Sequence, residues 1–198
     1  MQRLAQQILE YAATRPEGSS LRAKELLHLG SRAAVDQALS RLHRRGTLMR
    51  IGRGLYVRPI EGRFGARPPS PAKVVETLSV ATGETITPNG ATAANALGLT
   101  TQVPIRPVYL TSGRSRRIRL GAQVLELRHA PQWQLVLAGE PGGDAVRALS
   151  WLGEKQAKGA IRALEGRLPA SELRAMTDVR GRLPTWMARA VSALVVHA

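Results

Sequence analysis

Arginines that alternate with glycines between residues 43 and 59 have the clearest chemistry in this sequence. The stretch HRRGTLMRIGRGLYVRP holds five arginines, three glycines and no acidic residue. A guanidinium group binds phosphate oxygens and can donate two hydrogen bonds to guanine. The stretch therefore predicts contact with nucleic acid, provided that the fold presents the arginines on one surface.

The charge of the whole chain points the same way. Among 198 residues, 29 are Lys or Arg and 14 are Asp or Glu, which gives a net charge of +15 at neutral pH. Residues 1–70 alone carry 13 basic and 5 acidic side chains, so more than half of the excess lies in the first third. Such a balance favours a polyanionic partner, nucleic acid before an acidic protein or a membrane surface.

The residue inventory argues against catalysis and against a metal site. The chain has no cysteine, and its four histidines are scattered without metal-ligand spacing: His28, His43, His129 and His197. Ser112 has no His–Asp pattern beside it that would activate a nucleophile. No apolar run approaches the roughly 20 residues of a membrane span. We expect a soluble cytoplasmic protein that is not an enzyme and needs no metal or cofactor.

Three helices and a hairpin must position the arginines of the first third. Apolar periodicity predicts helices over about residues 2–14, 21–29 and 32–45, the third capped by Ser31 and ended by Gly46. Two short strands then flank a GRG turn, where glycine tolerates positive φ. This order of elements is typical of a winged helix-turn-helix domain, which we assign to residues 1–60.

The third helix has the residues that read a DNA groove. With Val35 and Leu42 facing inward, Gln37 and Arg44 face outward; Gln pairs with adenine, and Arg with guanine or phosphate. The predicted DNA-binding residues are Ser31, Ala33, Gln37, Ser40, Arg41, Arg44 and Arg45 on or beside this helix, and Arg50, Arg53 and Arg58 on the hairpin. The alternative is a solvated charged face on an ordinary three-helix domain.

The rest of the chain predicts a linker over 61–71 and a second domain over 72–198. Its pattern gives a helix at 72–82, a short helix of small residues at 91–97 expected to pack on a sheet, and three strands expected to form a small antiparallel sheet. From about residue 144 the pattern is helical in short pieces. The predicted fold class is therefore α+β, a winged helix-turn-helix followed by a mixed domain with C-terminal helices.

A second group of arginines lies on the predicted strands of the second domain. It comprises Arg114, Arg116, Arg117 and Arg119, with no acidic residue between Glu84 and Glu126. On a strand, Arg117 and Arg119 share one face while the residues between and beyond them face the other way. The group is either one solvated face of a half-buried sheet or a second contact with a polyanion or partner.

Two long segments resemble a known family. They are AVDQALSRLHRRGTLMRIGRGLYVRP and TPNGATAANALGLTTQVPIRPVYLTSGRSRRIRLGAQVLELRHA, and over about residues 1–155 the chain resembles the AbiEi-type antitoxins of bacterial type IV toxin–antitoxin systems. The resemblance implies a winged helix that represses its own operon by binding promoter DNA with inverted repeats. It also implies a C-terminal domain that counters a nucleotidyltransferase-like toxin encoded next to it.

Two other functions fit the same residues. One is a stand-alone winged-helix transcription factor whose C-terminal domain senses a ligand or dimerises. The other is an RNA- or tRNA-binding protein that shields the substrate of a toxin. An adjacent toxin gene would favour an antitoxin over a stand-alone transcription factor. Preference for an operator duplex over tRNA would favour it over an RNA-binding protein.

Overall fold

The computed structural model describes residues 2–16, 18–63 and 65–194. The chain divides into two compact units. The first comprises Met1–Glu84 with Arg117–Leu125, and the second Thr85–Arg116 with Glu126–Ala198. The predicted α+β class, with small antiparallel sheets and C-terminal helices, is confirmed. No helix within the described ranges is long and apolar enough to cross a membrane.

In the first unit, the described residues up to Glu84 form three α-helices, five short strands and a 3-10 turn. They are α1 (Gln2–Ala13), β1 (Ser20–Arg22), the 3-10 turn (Ala23–Leu26), α2 (Arg32–Arg44), β2 (Met49–Gly52), β3 (Leu55–Val57), β4 (Ile60–Gly62), β5 (Gly65–Arg67) and α3 (Pro71–Thr82). The sheet order is β1-β3-β2, with antiparallel pairs, and β4 pairs with β5 alone.

One prediction for this unit is wrong. The α-helix expected over 21–29 is replaced by β1 and the 3-10 turn, because Leu21 pairs with Tyr56 in the sheet, 35 positions along the chain. The segment 61–71, expected to be a linker, includes most of the paired residues of β4 and β5 and the first residue of α3; as a domain boundary it stays a prediction. Strand pairing between distant or glycine-rich segments leaves little trace in local periodicity.

The core of the first unit lies between α1, α2 and the three-stranded sheet. Its buried side chains include Ile8, Leu21, Val35, Leu39, Leu42, Leu48 and Tyr56.

Helix α3 belongs to this unit although it was expected to open the second domain. The Thr77 hydroxyl donates to the Gly18 carbonyl at 2.7 Å, and the Arg22 guanidinium donates to the carbonyl of Ala81. The compact unit therefore extends past the expected linker, to residue 84.

The elements that follow α3 form a four-stranded sheet and a helical cluster. They are β6 (Ile86–Pro88), α4 (Gly90–Ala96), β7 (Val108–Thr111), β8 (Arg116–Leu120), β9 (Gln123–His129), a 3-10 segment (Gln132–Leu135), α5 (Pro141–Leu152), α6 (Glu154–Glu165), α7 (Ala170–Asp178), a 3-10 turn (Arg180–Arg182) and α8 (Thr185–Ser192). The strand order is β6-β7-β9-β8. Strand β7 is antiparallel to β6 and parallel to β9, so this sheet is mixed and not the wholly antiparallel sheet expected here. Side-chain alternation is the same in both kinds of pairing and does not distinguish them.

Helix α4 packs closely on α5 rather than on the expected sheet. A Cβ added at Gly90 would lie 2.4 Å from the Arg147 carbonyl oxygen and 2.6 Å from the Trp151 Cβ. Ala93 and Ala94 of α4 and Ala148 of α5 are buried together in the same contact. The small residues of the NGATAANA segment therefore allow two helix backbones to approach each other.

Arg147 is the largest buried polar side chain of the second unit, with 1% of its surface exposed. Its guanidinium donates to the carboxylate of Asp144 at 2.7 Å and to the carbonyls of Gln134 and Val136 at 3.3 Å each. Burial lowers the pKa of Arg147, and Asp144 opposes that effect. The side chain thus ties the 3-10 segment and the chain after it to α5.

Candidate nucleic-acid interface

Helix α2 presents the face that the sequence predicts for DNA contact. The Ser31 hydroxyl accepts a hydrogen bond from the Ala34 amide at 3.4 Å, so its side chain caps the helix. Val35, Ala38, Leu39 and Leu42 are buried in the core, which fixes the helix orientation. Ala33, Gln37 and Arg44 are exposed on the opposite side, and Ser40 and Arg41 are half-buried.

The C-terminal end of α2 continues this basic surface. Arg45, at the C-cap position, is exposed. Near the start of the helix, Arg32 forms an exposed ion pair with Asp36 at 2.8 Å, which keeps that carboxylate beside a cation. The outward face of α2 therefore combines an amide, a methyl group and guanidinium groups.

The β2–β3 hairpin holds a further set of arginines next in the chain. Arg53 is exposed at the turn, which Gly54 closes at φ 64°, a conformation that favours glycine. Arg50 is exposed, and its Nε donates to the Gly52 carbonyl at 3.1 Å. Arg58 follows β3 and is half-buried. The hairpin thus holds Arg53 and Arg50 out from the sheet, with Arg58 at its base.

The second group of predicted arginines is divided between the two units. Arg117 and Arg119 of β8 are exposed, whereas Ile118 and Leu120 are buried, as strand alternation predicts. These two arginines belong to the first unit. At the turn that follows, an ideal Cβ on Gly121 would lie 3.9 Å from Pro68 and 4.0 Å from the Met49 side chain. The turn therefore lies beside β2.

Arg114 and Arg116 belong to the second unit. Arg114 is exposed, and the half-buried Arg116 donates to the Arg114 carbonyl at 3.2 Å. The boundary between the two units therefore falls within this group, between Arg116 and Arg117 of β8. Arg117 and Arg119 share a compact unit with α2, while the other two do not.

Exposed arginines of the β4–β5 hairpin, Arg63 and Arg67, were not among the predicted site residues. The Pro/Gly-rich composition of this segment is typical of a linker and hid them. The paired spacing of Gly62 and Gly65 around two residues is the signal that would have indicated a hairpin.

The histidines of the described residues and Ser112 make contacts within the fold. The described part of the chain contains no group of three or more His, Cys, Asp or Glu side chains placed to hold a metal ion. His28 packs against Tyr11 and His43 against Tyr56. His129 contacts the Gly113 carbonyl at 2.8 Å, and His197 lies outside the described residues. The Ser112 hydroxyl accepts from the Thr85 amide at 3.0 Å.

A family model covers most of these elements. The model for DUF6088, a family of unknown function, matches residues 7–164. The chain belongs to the DUF6088 family. The DUF6088 match includes α2, the β2–β3 and β4–β5 hairpins and α4, and ends within α6. Helices α7 and α8 lie beyond it.

Comparison with solved structures finds a similarity to the crystal structure of the RV2827C protein from Mycobacterium tuberculosis. The sequences are 16% identical, the TM-score is 0.47, and the alignment covers 96% of this DUF6088 chain and 79% of the other. Comparison with curated proteins gives no sequence match.

Proposed function

We propose that this protein binds double-stranded DNA through α2 and the β2–β3 hairpin, in the manner of a winged helix-turn-helix regulator. The observation that carries the proposal is the outward face of α2, where Gln37 and Arg44 are exposed on a helix whose opposite face is buried. Glutamine and arginine are side chains that recognise adenine and guanine in the major groove. Arg53, at the exposed hairpin turn, is available for the adjacent phosphate backbone.

We propose that the target is its own promoter in the cytoplasm, with inverted repeats that would match two bound copies. The test is a titration of labelled promoter duplex with single variants. Gln37→Ala and Arg44→Ala should each weaken binding by about 1–3 kcal/mol and relax the sequence preference. The matched controls Gln156→Ala and Arg162→Ala remove the same residue types from exposed positions of α6 and should bind as the wild type does.

Arg53→Ala should act differently, because a phosphate contact carries no sequence information. We expect binding to every duplex to weaken and the dependence of log K on log salt to become shallower by about 0.9. If Gln37→Ala, Arg44→Ala and Arg53→Ala all bind as their controls do, this surface is not the DNA interface.

We propose further that the protein is the antitoxin of a type IV toxin–antitoxin system. This part rests on the resemblance of residues 87–130 to AbiEi-type antitoxins. Co-expression with the nucleotidyltransferase-like toxin encoded beside it should restore growth. The DNA-binding variant Gln37→Ala/Arg44→Ala should restore growth equally, because the resemblance puts the antitoxic function in the other half of the chain. The absence of such a neighbouring gene, or a lack of rescue by the wild type, would contradict the antitoxin role.

A further inference from the structure

The β4–β5 hairpin contributes very little to the core of the first unit. Ile60 pairs with Arg67, Glu61 with Ala66 and Gly62 with Gly65. Five of these six residues are exposed, on both faces of the ribbon, and Ile60 is half-buried. An isolated two-stranded hairpin is at best marginally stable in water. The hairpin therefore adds little to the stability of the unit, and any function that it has depends on its exposed side chains.

The charge on that surface is mainly positive. Arg63 lies next to Gly62 at the hairpin tip, and Arg67 ends β5; both side chains are exposed. Within the described residues neither side chain forms a hydrogen bond or an ion pair. Glu61 is the one acidic residue of residues 60–67. Two guanidinium groups are thus available for a ligand.

The hairpin is also continuous in sequence with the proposed DNA interface. Strand β3 ends at Val57, and β4 begins at Ile60, so two residues separate the arginine hairpin β2–β3 from this one. The first of those two is Arg58. A duplex that contacts the β2–β3 hairpin would therefore find further cations on the next hairpin of the same unit.

We propose that β4–β5 is a second arginine hairpin, which binds the phosphate backbone of the same DNA duplex through Arg63 and Arg67. This inference rests on the proposed DNA binding and adds a contact site to it. Exposed strand edges can also pair with a second copy of a chain. The net charge of +15 on each copy opposes that pairing and favours a polyanion.

The test compares Arg63→Ala/Arg67→Ala with the control Arg162→Ala/Arg174→Ala, which removes two exposed arginines from α6 and α7. Both variants lose the same charge. Binding of a labelled mixed-sequence duplex is measured by fluorescence anisotropy at increasing salt. Loss of two phosphate contacts should make the slope of log K against log salt shallower by about 1.8 in the hairpin variant. The control should keep the wild-type slope.

A charge-preserving variant separates charge from shape. Arg63→Lys/Arg67→Lys should keep most of the wild-type slope, because a lysine ammonium also binds phosphate. All these positions are exposed, so the melting temperature should stay close to that of the wild type. A hairpin variant with the slope of its control would overturn the inference. So would a change in oligomeric state on sedimentation without a change in slope, which would mean that the hairpin pairs with a second copy.

Failure of the inference differs from failure of the proposed function. If the wild type shows no salt-dependent binding to any duplex, both are wrong. If the wild type binds and Arg53→Ala flattens its slope, while Arg63→Ala/Arg67→Ala changes nothing, the β4–β5 contact alone is wrong.

Discussion

Two arginines show how the same side chain serves opposite purposes in this chain. Arg44 is exposed on α2, where its charge is available to a polyanion. Arg147 is buried and donates hydrogen bonds to a carboxylate and two backbone carbonyls of its own unit. Sequence spacing alone does not separate these cases, because each arginine lies on an amphipathic helix. Burial is what distinguishes a binding residue from a structural one here.

Replacement of Arg147 should destabilise the second unit. Arg147→Met keeps an apolar chain of similar length but leaves the carbonyls of Gln134 and Val136 without this donor. The Val136 carbonyl is buried, and its loss of a partner should cost about 1–3 kcal/mol. All three tryptophans, Trp133, Trp151 and Trp186, belong to the second unit, so tryptophan fluorescence during urea unfolding reports on that unit.

The exposed Arg162→Met on α6 is the control, and it should stay within about 0.5 kcal/mol of the wild type. Equal urea midpoints for Arg147→Met and Arg162→Met would show that the buried hydrogen bonds of Arg147 add nothing to stability.

At the scale of elements, local signals predicted the helices well where capping and periodicity agreed. Ser31, the apolar positions of α2 and the glycine after it define that helix from sequence, and the structure has it at Arg32–Arg44. Helices α5 and α6 likewise end directly before glycines, Gly153 and Gly166. Where an element depends on a distant partner, as β1 does on β3, local signals gave a helix instead.

The contact between α4 and α5 gives a prediction about elements. Gly90→Ala should destabilise the second unit by about 1–3 kcal/mol, since the new methyl group would overlap the backbone of α5. Gly159→Ala on α6 is the matched control: nothing lies within 4 Å of its added Cβ. That change should stabilise the helix by about 0.5–1 kcal/mol.

The urea midpoint of each glycine variant is measured by tryptophan fluorescence. A Gly90→Ala midpoint at or above that of Gly159→Ala would mean that α4 can move away from α5 at little cost.

At the scale of the whole molecule, the two compact units interleave in sequence. Arg117–Leu125 belongs to the first unit although the chain on both sides of it belongs to the second. A single cut therefore does not separate the units. That residues 72–198 fold as a separate domain after a boundary at 61–71 stays a prediction. Helix α3, which lies just after that boundary, is the segment that tests it.

A fragment of residues 72–198 should not retain α3. Val74, Val75 and Leu78 are buried in the full chain, and a 12-residue helix without its packing partner is marginal in water. Hydrogen exchange followed by mass spectrometry should show protected amides across residues 74–82 in the full chain and rapid exchange in the fragment. Equal protection in both would support a second domain that begins at 72.

The sequence by itself determined the basic surface, the outward face of α2 and the alternation of Arg117 and Arg119 with buried neighbours. Each of these follows from charge or from the local periods of helix and strand, which neighbouring residues fix. Only the tertiary structure decided that α3 and residues 117–125 join the first unit and that Arg147 is buried. These depend on strand pairs and packing between segments far apart in the chain, where the free energy comes from partners that local patterns do not contain.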